Sequence, residues 1–255
     1  MSKPTLYVFA ISHYCEKARF ALDSLGIDYA VDHQAPGLHA QTAQKLGVAG
    51  TSLPILEVDG GAIQGSAEIL DWADAHAPSG RRLTPEIDTE ACREIERRLD
   101  DVAGVHTRRL FYSEALVEHS ETVKPIFIKD LAGEPRSFVD EAWPLVRERM
   151  IEGMDLGREQ GEESQRILEG ELAWLDGLLA DGRQFLVADR FTRADLTAAS
   201  LLARVAGAKE HPQHRFMQLP PRMTELQRRW NDRPSLVWIR GLYTRFRNVG
   251  GGASG

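Results

Sequence analysis

The chain has 255 residues, of which 42% are hydrophobic and 27% charged, and a formal net charge of −7. That balance fits a folded globular protein of one or two domains and excludes a disordered chain. The acidic charge argues against nucleic-acid or anionic-membrane partners, which need a dense basic face, and two cysteines are too few for a disulfide framework or a cysteine-rich zinc site.

Thr5 to Ile11 is a short β-rich run, too short to span a bilayer and without a signal-peptide cleavage pattern, so a cytoplasmic location is expected. Ala18, Ala21, Leu22 and Leu25 then recur at i, i+3, i+4 and i+7, one face of a helix that Gly26 can end. Ile27 to Val31 reads as a second strand, making a βαβ unit with parallel strands. A middle helix is expected over Pro36 to Leu46. Leu53 to Val58 and Ala62-Ile63 flank Asp59-Gly60, a hairpin signal, and a further helix follows Ser66 as its N-cap. These pieces describe a small mixed sheet with helices on its faces.

The texture changes at Pro78-Ser79-Gly80. Residues 1–78 carry 4 Lys/Arg against 9 Asp/Glu, whereas the remainder carries 27 against 29. Residues 79–88 read as a linker and 89–248 as an all-helical domain, with 249–255 a disordered tail. Thr89 to Glu118 suits one or two long helices, and Leu168, Leu172, Leu175 and Leu179 keep helical spacing within Glu141 to Leu179. Pro220-Pro221 opens a segment through Trp230, and Asp232 to Ser235 is the next break. In Phe191-Thr192-Arg193-Ala194-Asp195-Leu196, Thr192 is an N-cap, Asp195 reaches back from the third helical position, and Phe191 can staple against Leu196.

Ser12-His13-Tyr14-Cys15 lies where the first strand gives way to the first helix. A helix N-terminus stabilises an anion and lowers the pKa of a thiol held there. Ser12 can be a hydroxyl donor at that end or only a cap; Cys15 can be a reactive thiol or only a small buried filler. Leu53-Pro54 precedes the third strand, where a proline is tolerated on steric grounds alone. A cis bond there would turn the backbone of Leu53 outward to pair with an extended peptide. His211-Pro212-Gln213-His214 offers two histidines without a further ligand set, so no metal is expected. Lys17 and Arg19 can assist an anion or serve as ion-pair partners.

Four segments together resemble the cytosolic glutathione transferase family. They are Ser12 to Arg19, Leu53-Pro54-Ile55-Leu56, Gly65-Ser66-Ala67-Glu68-Ile69-Leu70, and Phe185 to Asp195, in the family's order and spacing. The resemblance implies an α/β thioredoxin-like domain over residues 1–78, followed by an all-α helical-bundle domain. It also implies a catalytic position at Ser12, with Cys15 where redox-active relatives of the fold place a second cysteine. Leu53, beside a cis Pro54, would offer its backbone to the cysteinyl part of glutathione, and Ser66 would bind the γ-glutamyl carboxylate at a helix N-terminus. The family usually has Glu or Gln immediately before that serine. Here the position is Gly65, with Gln64 one residue early, and Glu68 replaces a small apolar residue.

Three functions follow from the resemblance. The first is transfer of glutathione, as co-substrate, to a small hydrophobic electrophile by a homodimeric enzyme. The second is thiol-disulfide exchange with glutathione through Cys15. The third is a non-catalytic interaction protein that keeps the fold, which Gly65 and Glu68 favour.

Overall fold

The computed structural model describes residues 2–78, 80–216 and 218–247. The expected tail at 249–255 lies outside the described residues.

The first strand, β1 (Thr5–Val8), leads into helix α1 (His13–Leu25) and strand β2 (Ala30–His33). Both strands depart from the sequence expectation for local reasons. β1 stops at Val8 because the Ser12 N–H donates to the Phe9 carbonyl at 3.1 Å, turning the chain into the helix. β2 starts at Ala30 because Ile27 still belongs to the helix end. With Gly26 left-handed at φ 70°, the Ile27 N–H donates to the Leu22 carbonyl at 3.0 Å. Helix α2 (His39–Lys45), strands β3 (Ile55–Val58) and β4 (Gly61–Gln64), and helix α3 (Ser66–His76) complete this half. The sheet order is β2-β1-β3-β4; β1 and β2 are parallel, as the βαβ reading requires, and the other pairs are antiparallel. Ala18, Ala21, Leu22 and Leu25 are all buried, each fully buried leucine contributing about 1.5–3 kcal/mol.

Every longer element that follows is helical. α4 (Thr89–Arg98) runs through a π-helical turn (Leu99–Gly104) into α5 (Val105–Ala115), followed by α6 (Ser120–Ile128), α7 (Gly133–Gly153) and α8 (Arg158–Leu178). Then come α9 (Arg193–Ala206), α10 (Pro221–Trp230) and α11 (Pro234–Phe246). The leucine spacing marks α8, whose Leu168, Leu172 and Leu175 are buried. The stretch from Glu141 to Leu179 is divided between α7 and α8 at a break where Asp155 takes φ 50°. A small mixed α/β domain is thus followed by a helical domain, as expected. No described helix is long and apolar enough to cross a membrane.

α9 is the central element of the helical half. It is buried along nearly its whole length, and α1 packs between it and α3. Its start is held by the capping box of Thr192 and Asp195. The Asp195 carboxylate accepts from the N–H groups of Thr192 and Leu186 at 2.8 and 2.7 Å, and from the Thr192 hydroxyl at 2.7 Å. Phe191, just before the cap, stacks on Phe246 at 4.3 Å between ring centroids.

Buried charge joins the two halves. Lys17 of α1 is fully buried and sits 2.8 Å from Glu96 of α4 and 2.6 Å from Asp100 of the π-helical turn. Glu96 also receives Arg193 of α9, whose guanidinium reaches Asp71 of α3 at 2.5 Å. Lys17 is therefore an ion-pair residue of the domain seam rather than an anion ligand. At the other end of the seam, Arg247 donates to Glu16 at 2.7 Å and to Asp23 at 2.6 Å.

Candidate functional site

Ser12 is the N-cap of α1, with its Oγ accepting from the Cys15 N–H at 3.3 Å. This use of Oγ as an acceptor leaves the hydroxyl proton able to face outward. The next two residues differ. His13 is buried, with Nε2 3.0 Å from the Gly104 carbonyl, a pairing that assigns the proton to Nε2. Burial, reinforced by the charge of Arg204, holds its pKa down to about 3, so the ring is neutral. The Tyr14 hydroxyl donates to the Asp100 carbonyl at 2.6 Å. Both acceptors belong to the π-helical turn, and the approach needs glycine at 104. A Cβ there would stand 2.6 Å from the Tyr14 hydroxyl oxygen.

Cys15 is turned into the core, with its thiol still near the Ser12 hydroxyl. It is 1% exposed, packed in the core, and burial pushes its thiol up to about 11.

Ser12, His13, Tyr14 and Leu53 open onto one cleft of about 580 Å³ between the two halves. The Leu53–Pro54 bond is cis. Neither the N–H nor the C=O of Leu53 has a hydrogen-bond partner among the described residues. The facing wall comes from α5 and α7. Tyr112 and, one turn earlier, Arg108 contribute from α5; Phe138, Val146, Arg149 and Met150 contribute from α7. Trp143 does not line the cleft; it packs on Phe127 and donates its indole N–H to Glu121.

Around α3 the structure alters the sequence expectation. Gly65, at φ 110°, occupies the cap position, and Ser66 is the buried first residue of the helix rather than its N-cap. Gln64 is committed elsewhere. Its amide oxygen accepts from the Gly50 N–H at 3.0 Å, and its amide nitrogen donates to the carbonyls of Gly50 and Ser52 at 2.9 and 2.8 Å. It clamps the chain before β3 instead of presenting a free amide. Glu68, in the first turn, folds back so that a Cβ at Gly65 would collide with its carboxylate. Here the pattern of small residues is coherent: glycine at 65 leaves the space that Glu68 fills.

Among the described residues, no group of three or more His, Cys, Asp or Glu is placed to hold a metal ion. His211 accepts the Gln213 N–H through Nδ1 at 3.1 Å. The sequence alone singles out neither of the cleft's arginines, although the segment Gly104 to Tyr112 that carries Arg108 can be read as cleft lining or as packing. Arg149 was legible in principle, since it shares the stripe of Ala142, Val146, Met150 and Gly153 that helical spacing sends to one face of α7.

A thioredoxin-like sheet domain and an α-helical domain meeting at a cleft define the architecture. The family described as Glutathione S-transferase, N-terminal domain matches residues 6–82, and Glutathione S-transferase, C-terminal domain matches residues 158–226. The chain belongs to the glutathione transferase superfamily. No curated protein sequence matches it. Among solved structures it is similar to a glutathione S-transferase of Ceriporiopsis subvermispora in complex with glutathione. The two share 16% identity at a TM-score of 0.63, covering 99% of this chain and 100% of that one. A glutathione S-transferase of Methylobacterium radiotolerans, in complex with glutathione sulfonate, shares 23% identity at a TM-score of 0.53, covering 92% and 93%. A beta-etherase of Sphingobium sp. strain SYK-6 shares 18% identity at 0.59, covering 93% and 98%. At these identities the likeness is one of fold.

Proposed function

We propose that the protein is a glutathione transferase that joins glutathione to a small hydrophobic electrophile. The observation that carries this reading is at the start of α1. Of the three consecutive polar residues at the cleft, His13 and Tyr14 donate to the π-helical turn, while Ser12 uses its oxygen as an acceptor and keeps a proton for a ligand. The backbone of Leu53 would pair with the cysteinyl part of glutathione, and the N-terminus of α3 at Ser66 would face its γ-glutamyl carboxylate. Ser12 then donates a hydrogen bond to the glutathione sulfur, favouring thiolate near neutral pH. The thiol proton passes to solvent and the thiolate attacks the electrophilic carbon. A carbon–sulfur bond forms, and the leaving group departs with its electron pair. The apolar wall of Tyr112, Phe138, Val146 and Met150 suits such an acceptor. A cytoplasmic homodimer accompanies the family resemblance, and sedimentation of the pure protein tests the dimer.

The exchange reading through Cys15 is disfavoured because a buried thiol raised to about 11 is neither accessible nor ionised at neutral pH. A non-catalytic role has a specific observation in its favour: Gln64 is used internally, and Glu68 brings a carboxylate to the end of α3 that would receive another. Calorimetric titration with glutathione separates the two, since an absence of binding at millimolar ligand removes the transferase reading. In a general aromatic transfer assay, Ser12→Ala is expected to lower the rate by roughly 10-fold or more, and Cys15→Ser to leave it within a few-fold. The opposite pattern would identify a thiol enzyme.

A further inference from the structure

The cleft carries a charge that its apolar character conceals. Arg108 and Arg149 line it, and among the described residues no aspartate or glutamate does so. Its histidines add little charge: His13 is held neutral, and burial lowers His39 as well. The cleft is therefore cationic on a protein whose net charge is −7. Neither arginine has an ion-pair or hydrogen-bond partner among the described residues. By contrast Arg109, beside Arg108 on α5, pairs with Asp155 and Glu163, and Arg147, beside Arg149 on α7, donates to the carbonyls of Leu116 and Val117. The partnered arginines are fixed to the helical domain, and the two facing the cleft are not.

Arg108 is half-buried and lacks an acceptor among the described residues. Its Nε is buried and unpaired, and its charge reaches His13, Tyr14 and Tyr112, the groups around Ser12. A buried donor without a partner costs about 1–3 kcal/mol, and the guanidinium it belongs to has no anion beside it among the described residues. Arg149 lies on the cleft-facing stripe of α7, where the spacing otherwise supplies Ala142, Val146, Met150 and Gly153. Both cations stand on the helical wall, with Ser12 and Leu53 on the other, among Tyr112, Phe138 and Val146.

We infer that the acceptor is an apolar, aromatic-sized molecule bearing a carboxylate, and that Arg108 and Arg149 bind that carboxylate while its ring lies on the apolar wall. This inference rests on the transferase reading for the reaction, but the binding it describes does not need glutathione. Guanidinium and carboxylate match in a paired geometry, and a partly dehydrated cleft strengthens the pairing.

The test compares 4-chloro-3,5-dinitrobenzoate with its methyl ester at saturating glutathione. In both, the sulfur bonds to the ring carbon that loses chloride, and comparing the acid-to-ester ratio between wild type and variant cancels their different intrinsic reactivity. The expected result is that the acid-to-ester ratio of kcat/KM falls by roughly 10-fold in Arg108→Gln and in Arg149→Gln, through KM for the acid. Arg149 is exposed, so its variant keeps the test sound if Arg108→Gln fails to fold. An unchanged ratio in Arg149→Gln overturns the inference. So does a raised KM for glutathione in a second series that varies glutathione at fixed acceptor, because the arginines would then serve the carboxylates of the tripeptide. If neither acceptor is turned over, the transferase reading has failed, and calorimetry with 3,5-dinitrobenzoate and its methyl ester, without glutathione, decides the inference alone. Tighter binding of the acid, weakened in Arg149→Gln, sustains it; equal binding or none overturns it.

Discussion

His13 shows how one side chain beside a site can be read for stability rather than chemistry. Its neighbours allow the neutral ring only: it is buried, donates to a carbonyl, and faces the charges of Arg204 and Arg108. Its folded-state pKa of about 3 lies below the ordinary 6.5, so between these values the unfolded chain binds a proton that the native protein does not. Stability from this group is complete above pH 6.5 and is lost as the pH falls toward 3, at about 1.4 kcal/mol per pH unit. Denaturant titrations of wild type and His13→Gln from pH 7 to 4.5 should show their difference in stability drifting by that slope against the wild type. Asp195, raised by burial from 3.8 to about 6, acts with the opposite sign but does so in both proteins and leaves the difference. A pH-independent difference would mean that His13 takes up its proton alike in the native and unfolded chain.

At the scale of single elements, the start of α9 and the start of α3 make a contrast. Thr192 and Asp195 were legible because a capping box is written in adjacent residues and needs no tertiary knowledge. What the sequence did not show is that Asp195 also holds the Leu186 N–H, from a segment outside the helix. Thr192→Ala should therefore cost about 1 kcal/mol, and Asp195→Ala more, on the order of 3 kcal/mol, since it strands three buried donors. Thermal unfolding of the two variants checks the order; equal losses would show that the Leu186 bond contributes nothing. At α3, by contrast, the role of Gln64 depends on Gly50 and Ser52, which lie twelve and more residues away, and no local pattern announces such a clamp. The π-helical turn was hidden for a related reason. Leu99 to Gly104 has ordinary helical composition, and its geometry is tied to Lys17, Tyr14 and His13 of the first domain.

Across the whole molecule, the periodic signals were legible and the partnerships between distant segments were not. Ala18, Ala21 and Leu22 announced the buried face of α1, but Lys17 beside them reads as a surface residue until Glu96 and Asp100 are folded onto it. The same holds for the cleft: Ser12 and Leu53 belong to recognisable motifs, whereas Arg108 and Arg149 acquire meaning only from the wall they share. Lys17→Met should destabilise the protein by about 3 kcal/mol, because it leaves Asp100 without its cation and Glu96 with Arg193 alone. The loss should appear as one cooperative shift in calorimetry, since the pair spans both domains. Early melting of the sheet domain alone would show that the seam does not couple them.

Arg247 extends that theme into time. Glu16 is buried in the first helix, and the guanidinium that neutralises it stands 231 positions later along the chain. During synthesis, the Glu16 carboxylate in the first turn of α1 emerges from the ribosome long before the guanidinium that pairs with it. Seating α11 against α1, which brings Arg247 onto Glu16, is therefore expected to be a late step in the folding of a chain made from its N-terminus.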